Sequence, residues 1–250
     1  MGIADTARQL WRTRFPNPLR ERVSNVRGAR RERAWRKSRD LGELRRLEPF
    51  STWGSSRDGP IDRIYINQFI EKHAGDVHGR ALEVMNDHYI TRYGTAVTRV
   101  DVLDVDETNP NATFHGDVAD APSIPGDAFD CVILTQVLPL VYDPRAVLRT
   151  AHRILASNGV LLATTGGISR IAPLEAPVYG HWWHYTSMSA KRLAEEVFGV
   201  GNVEVGTYGN VLAAAGFLFG LGRYDLSPEE LDAHDPAYEV TIGIRAVKRG

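Results

Sequence analysis

A single cysteine, Cys131, in 250 residues leaves no partner for a disulfide and no thiolate set for a metal cluster. Lysine is nearly as scarce, four against twenty-six arginines, a bias that accompanies GC-rich bacterial coding. No apolar run approaches the ~20 residues that a membrane-spanning helix requires, and residues 1–14 lack the apolar core of a secretory signal. No stretch of sequence repeats. These absences lead to the expectation of a soluble, cytoplasmic protein with no membrane partner. What is present is ordinary for a globular chain, 43% hydrophobic and 24% charged residues. At this length most of the surface is buried on folding without a covalent staple.

The net charge of −1 conceals an uneven distribution. Residues 1–46 carry thirteen arginines and Lys37 against five acids, a net +9, so the remaining 204 residues sum to −10. One reading of this head is an arm whose arginines neutralise phosphates and release counterions. The other is a basic helical extension packed on the domain or on a second subunit, with arginine stems covering apolar surface. Aromatics in it are sparse (Trp11, Phe15, Trp35) and show no stacking period, which disfavours nucleic acid and leaves a homodimer open. The division expected is therefore an extension over 1–46 and a domain over 47–250. The acylation pattern at Met1-Gly2 and the glycosylation pattern at Asn111-Ala112-Thr113 are short enough to arise by chance.

From residue 80 onward, short apolar runs alternate with helical stretches. Residues 80–84, 96–102 and 112–118 are each an apolar run with a late acid, namely Glu83, Asp101 and Asp117. Residues 129–135 and 159–164 read as strands buried on both faces. Between these two, Asp143 can cap a helix, Pro144 suits its first position, and Asn158-Gly159 supplies a stop. Val147, Ala151, Ile154 and Leu155 keep to one face of it. Such alternation implies crossovers and a parallel sheet. Residues 202–208 and 240–247 alternate more strictly, as an antiparallel terminal pair at an edge with one solvated face would. The expected fold is α/β, Rossmann-like and doubly wound, with a mostly parallel seven-stranded sheet and an antiparallel C-terminal pair. Ligands of such sheets bind beyond the carboxyl ends of the strands. That places Glu83, Asp101, Asp117 and the pair Thr135-Gln136 at the site. Carboxylates there are costly to bury unpaired, so a cation or several donors should face them.

In order and spacing, several segments resemble the class I S-adenosylmethionine-dependent methyltransferases. They are residues 60–66, Leu82-Glu83-Val84 with residues 89–94, Asp101-Val102-Leu103, Gly116-Asp117, residues 129–136, Trp183-His184-Tyr185-Thr186 and residues 208–212. The resemblance extends to a bacterial subgroup found with carbohydrate-assembly genes. It implies S-adenosylmethionine as cofactor. Glu83, with Met85 beside it, would lie near the methionine ammonium. Asp101 and Val102 would serve the ribose hydroxyls, and Gly116, Asp117 and the backbone of Val118 the adenine. Thr135 and Gln136 would lie beside the methyl group or the acceptor. As an isolated feature, each acid is equally readable as a loop-end or helix-capping carboxylate. Two departures stand out. The glycine-rich turn after the first strand is replaced by residues 85–89, which argues against a dinucleotide, whose pyrophosphate needs those glycines. Only sixteen positions separate Asp101 from Asp117, so the helix between the second and third strands is shortened or gone.

The acceptor implied by the resemblance is a saccharide hydroxyl, the alternatives being another small natural product, aromatic or amine, or an RNA bound through the basic head. At its finest, from resemblance and arginine-rich composition, the hydroxyl is the 1-hydroxyl of a short, partly methylated mannoside, as in early methylmannose polysaccharide synthesis of mycobacteria. Residues 180–186 place Trp182, Trp183 and Tyr185 with His181 and His184 on one loop, suiting an acceptor with apolar faces and hydroxyl edges. Tyr65, Tyr142 and Gln136 complete the expected substrate set. Histidine suits the removal of a hydroxyl proton near neutral pH, so His181 and His184 are the candidate bases. The alternative is that the rings pack the loop and one histidine is simply hydrogen-bonded. Three-residue spacing in a loop is no metal signature, so no protein metal site is expected. Magnesium held by acids such as Asp143 and the substrate stays open.

Overall fold

The computed structural model describes residues 46–52 and 59–249. The chain divides into a small unit, residues 1–47 with 224–226, and a large one, residues 48–223 with 227–250. The basic extension expected over 1–46 lies outside the described residues except for Arg46. The large unit holds all that follows.

Its seven strands are β1 (His78–Val84), β2 (Ala96–Asp104), β3 (Phe114–His115), β4 (Phe129–Thr135), β5 (Leu155–Gly166), β6 (Val203–Tyr208) and β7 (Thr241–Val247). They lie in the order β3-β2-β1-β4-β5-β7-β6. All pairings are parallel except those of β7, which runs antiparallel to both β5 and β6. Strand order therefore reverses between β1 and β4, the place where doubly wound sheets open a crevice at their carboxyl edge.

The central strands read as unbroken apolar runs because successive side chains enter different cores. Leu82, Val132, Leu134, Leu161 and Ala163 pack on one face. Ala81, Cys131, Ile133, Val160 and Leu162 pack on the other. The first face is covered by α3 (Pro144–Ile154) and α5 (Ser187–Phe198), through Val147, Leu148, Ala151, Leu193 and Phe198. The second is covered by α1 (Ile61–Lys72) and α2 (His88–Tyr93), through Ile66, Phe69, Ile70 and Ile90. Shorter helices are α4 (Ala176–Tyr179), α6 (Val211–Leu218) and α7 (Pro228–Asp232). Among the described residues no helix is long and apolar enough to cross a membrane.

Asp143 caps α3, its carboxylate accepting from the N–H groups of Arg145 and Ala146. The helix nevertheless ends at Ile154, and Asn158-Gly159 lies inside β5. Asn158 there adopts φ 64° where the register with β4 breaks. The third strand shrinks to two residues, and residues 105–113 form turns without a helix. The terminal pair is antiparallel, but only β6 is an edge. Strand β7 is inserted between β5 and β6 and buried on both faces, because α1 and α5 cover it.

Close packing of α1 on β7 depends on Gly243. A Cβ there would lie 2.3 Å from Cδ2 of Phe69, deep in the core. Gly243→Ala is expected to cost about 1–3 kcal/mol through overpacking. The urea midpoint should fall with an unchanged slope.

Candidate active site at the carboxyl edge of the sheet

Each strand of the parallel half ends in a short turn that raises side chains above the sheet. After β1, Met85 takes φ 72° and donates its N–H to the carbonyl of Leu103. Beyond β3, Gly116 donates to the carbonyl of Asp104. After β4, Gln136 takes φ 58° and donates its N–H to the carbonyl of Thr164. These turns enclose a cleft of about 330 Å³, within the range of small-molecule sites. Its walls are chiefly apolar, with Val84, Leu103, Val118, Val137 and Leu140 among them, and two acids, Asp104 and Asp117, also line it.

Of the cofactor residues expected from sequence, Met85, Gly116, Asp117 and Val118 line the cleft. Asp101 does not. Strand β2 continues three residues past it, so Asp101 sits in mid-strand opposite Leu82 and is fully buried. Its carboxylate accepts from Arg80 Nε at 2.7 Å and from Arg99 Nη2 at 3.1 Å. The cation that a buried acid demands is thus supplied inside the sheet. Val102 is likewise buried, bonded through its backbone to Thr113. The acid at the strand's end is Asp104. Its Oδ1 accepts from the N–H of Asp106, and its Oδ2 from the amide of Asn109. Val102-Leu103-Asp104 repeats the apolar-then-acid shape, which was the available signal for it.

Glu83 is also outside the cleft. It is buried and spends its carboxylate on the N–H groups of Tyr89 (2.9 Å) and Ile90 (3.0 Å), holding the first turn of α2. This is the helix-capping alternative, reached from a neighbouring strand. Burial pushes its pKa up to about 7, against the pull of those two N–H donors. Thr135 and Gln136 end β4 beside the cleft without lining it. The amide oxygen of Gln136 faces the end of β5, 3.7 Å from where a Cβ on Gly166 would stand.

The aromatic loop crosses the same edge. Trp182 donates its backbone N–H to the carbonyl of Pro139 (2.8 Å), after β4, and Tyr185 donates its own to the carbonyl of Gly166 (3.2 Å), ending β5. Residues 182–185 are therefore slung between the two strand ends. Gly180 starts the loop at φ 87°, and a side chain on it would collide with the Trp182 indole. Tyr142 and Trp182 both line the cleft and meet edge to face at 5.1 Å. Trp183 lies 6.3 Å from Tyr142 and donates Nε1–H to its carbonyl. All three rings remain substantially exposed, 69%, 51% and 41% for Tyr142, Trp182 and Trp183. His181 and His184 stand with ring centres 4.9 Å apart on this loop.

Two expected substrate residues are turned away. Tyr185 is buried, its hydroxyl donating to the carbonyl of Leu138, and burial pushes the phenol well above its usual range. Tyr65 points into the core of α1, stacked 6.0 Å from Tyr208, with its hydroxyl donating to the carbonyl of Leu231. Its pKa is pushed up to about 12. Both are apolar bodies anchored by one buried hydrogen bond. The sequence reading missed Val84, Asp104 and the segment from Val137 to Val141. The last is too apolar for a solvated loop, and that was its signal. Asp143, weighed as a magnesium ligand, is committed to capping α3. Among the described residues no group of three or more metal-ligating side chains is gathered.

A seven-stranded sheet of this order is the fold of solved S-adenosylmethionine-dependent methyltransferases. Residues 74–198 match the family model described as a methyltransferase domain, and the chain belongs to that family. Solved structures with the same fold include three from different microbes. An S-adenosylmethionine-dependent methyltransferase from Archaeoglobus fulgidus is 12% identical, covering 78% of this chain and 97% of that one, with a TM-score of 0.51. One from Mesorhizobium loti is 17% identical, with 76% and 99% covered and a TM-score of 0.50. A chain from the complex of the Haloferax volcanii Trm112 methyltransferase activator with a methyltransferase is 12% identical. It gives 75% and 91% coverage and a TM-score of 0.50. No curated protein matches the chain. The cofactor is S-adenosylmethionine, and the cleft suits it. Apolar walls offer room for a purine ring, and carboxylates offer acceptors for hydroxyl and amino donors.

Two outcomes follow from the separation of the acids. Asp104→Asn should weaken S-adenosylhomocysteine binding roughly tenfold or more by calorimetry, the worth of a charged hydrogen bond, and also lower Tm, because the buried carboxylate accepts from Asp106 and Asn109. Asp101→Asn should instead cost about 2 kcal/mol of stability and leave affinity nearly intact, because the arginines it serves lie in the sheet. Glu83 makes a separate pH prediction. Its folded pKa lies above the ordinary 4.5, so the folded state binds this proton more tightly than the unfolded chain. The resulting stabilisation is complete below about pH 4.5 and lost as pH rises through about 7. Between pH 4.5 and 7.5, wild type should lose up to ~3 kcal/mol relative to Glu83→Gln in paired urea titrations.

Proposed function

We propose that this enzyme transfers the methyl group of S-adenosylmethionine to a saccharide hydroxyl. The observation that carries the reading is the exposed group of Tyr142, Trp182 and Trp183 at the cleft mouth, with His181 and His184 on the same short loop. Indole and phenol faces suit the apolar C–H faces of a pyranose, and imidazoles suit its hydroxyl edges. In its finest form the acceptor is the 1-hydroxyl of a short, partly methylated mannoside. That hydroxyl is more acidic than its neighbours and needs only a modest base.

In this reading Asp104 accepts from the ribose hydroxyls and Asp117 from the adenine amino group, while Val84, Leu103 and Val118 pack on the ring. The bound cofactor supplies a methyl group on a sulfonium, already a good leaving group. The protein's task is to bring the acceptor oxygen to ~3–3.5 Å from that carbon, in line with the S–C bond. It must also take up one proton. With the cofactor bound, the acceptor oxygen would take the methyl group, the sulfonium would leave as a neutral thioether, and a loop histidine would receive the hydroxyl proton.

The test is product identification by mass spectrometry after incubating the full chain with labelled cofactor and a panel of mannosides, phenols and amines. One methyl should be gained on the mannoside and lost when its 1-hydroxyl is blocked. Transfer to phenols or amines with none to any saccharide would overturn the reading. Trp183→Ala, whose ring lies outside the cofactor cleft, should raise the acceptor KM about three- to tenfold with little change in cofactor affinity.

A further inference from the structure

The two loop histidines are not equivalent. The backbone N–H of Ala172 donates to His181 Nδ1 at 3.1 Å. A neutral imidazole has one acceptor nitrogen and one donor nitrogen. With Nδ1 accepting, the proton of His181 must reside on Nε2. Neither nitrogen can then receive a substrate proton. Nε2 is already filled, and a proton on Nδ1 would face the Ala172 N–H directly. Partial burial and the neighbouring His184 also hold the His181 pKa below the ordinary imidazole value, with Glu175 the carboxylate that opposes them. His184 is exposed, and among the described residues no hydrogen bond engages its ring.

We infer that the pair is a donor beside a base. His184 takes the proton of the reacting hydroxyl, while His181, fixed as the Nε2–H tautomer, donates to the adjacent oxygen of the same acceptor. Ring centres 4.9 Å apart can address two neighbouring oxygens. The site therefore selects a vicinal diol over an isolated hydroxyl. This rests on the saccharide reading above and adds to it which oxygens are read and by which ring. A second histidine able to ionise would hold the acceptor equally well but would compete for its proton. The Ala172 N–H removes that competition.

Two measurements on the full chain test it. The first is a long-range proton–nitrogen NMR correlation of the imidazoles, assigned with His181→Gln and His184→Gln. It should show His181 protonated at Nε2 across neutral pH, and a proton on Nδ1 would overturn the inference whatever the acceptor proves to be. The second is kinetic, with a vicinal-diol glycoside and its analogue lacking the neighbouring hydroxyl. His184→Gln should lower kcat roughly 10²–10⁴-fold and flatten the acid limb of its pH profile. His181→Phe should raise KM about three- to tenfold for the diol only, keep the acid limb, and be rescued by His181→Gln, whose amide restores a donor. Loss of the acid limb in His181→Phe, or an equal effect on both glycosides, would overturn it. Failure of every saccharide as acceptor would end the saccharide reading, and the NMR result would still decide the tautomer on which the division of labour depends.

Discussion

Helices cover both faces of the sheet, and this constraint governs every polar group near its working edge. A strand whose alternate residues all enter apolar cores must give any charged side chain a partner. It can pair the charge within the sheet, or place it at the strand's end, where the chain turns away and water or a ligand is met. Asp101 and Asp104 are the two cases, three residues apart on β2. The first is matched by Arg80 and Arg99 at hydrogen-bond distance, with Arg80 also lying over the Phe129 ring. The second stands at the strand's end and lines the cleft. Their chemistry is identical, and depth along the strand assigns them opposite tasks.

Glu83 shows a third solution. It is buried, yet its partners are neither cations nor ligand but two N–H groups of a six-residue helix whose own cap position makes no side-chain hydrogen bond. Without the glycine-rich turn usual in nucleotide-binding sheets, the segment after β1 relies on this carboxylate to fix where α2 begins. Met85, in a left-handed conformation, then reaches over the cleft. The short connection between β2 and β3 has a related effect. No helix stands over residues 105–113, and of these only Val105 lines the wall.

The aromatic loop owes its place to two backbone hydrogen bonds, to which Trp183 and Tyr185 add side-chain bonds to the carbonyls of Tyr142 and Leu138. Pinned to Pro139 and Gly166, it bridges the ends of β4 and β5 and presents Trp182, Trp183 and His184 outward while Tyr185 turns into the core. Trp182, Trp183 and His184 are all exposed and Tyr185 is buried, so a run of rings that reads as one aromatic surface divides into an exposed stretch and a single structural anchor. The loop also separates His181, held by Ala172, from its neighbour His184.

The sequence alone determined the class of fold. Apolar runs of five to seven residues, a well-signalled helix between two of them and a strictly alternating terminal pair dictate a mostly parallel sheet, because hydrophobic period is a local property. It also pointed to the ends of β1 and β4 and the start of the turn after β3, but not to Asp104 or to the segment from Val137 to Val141. Tertiary structure decided which side chains reach the cleft. Where β2 ends, how β7 slips between β5 and β6, and which rings of the loop are buried depend on pairing register and helix coverage set by residues far away in the chain. A one-residue change of register sends a side chain to the other face, and no local pattern encodes that choice.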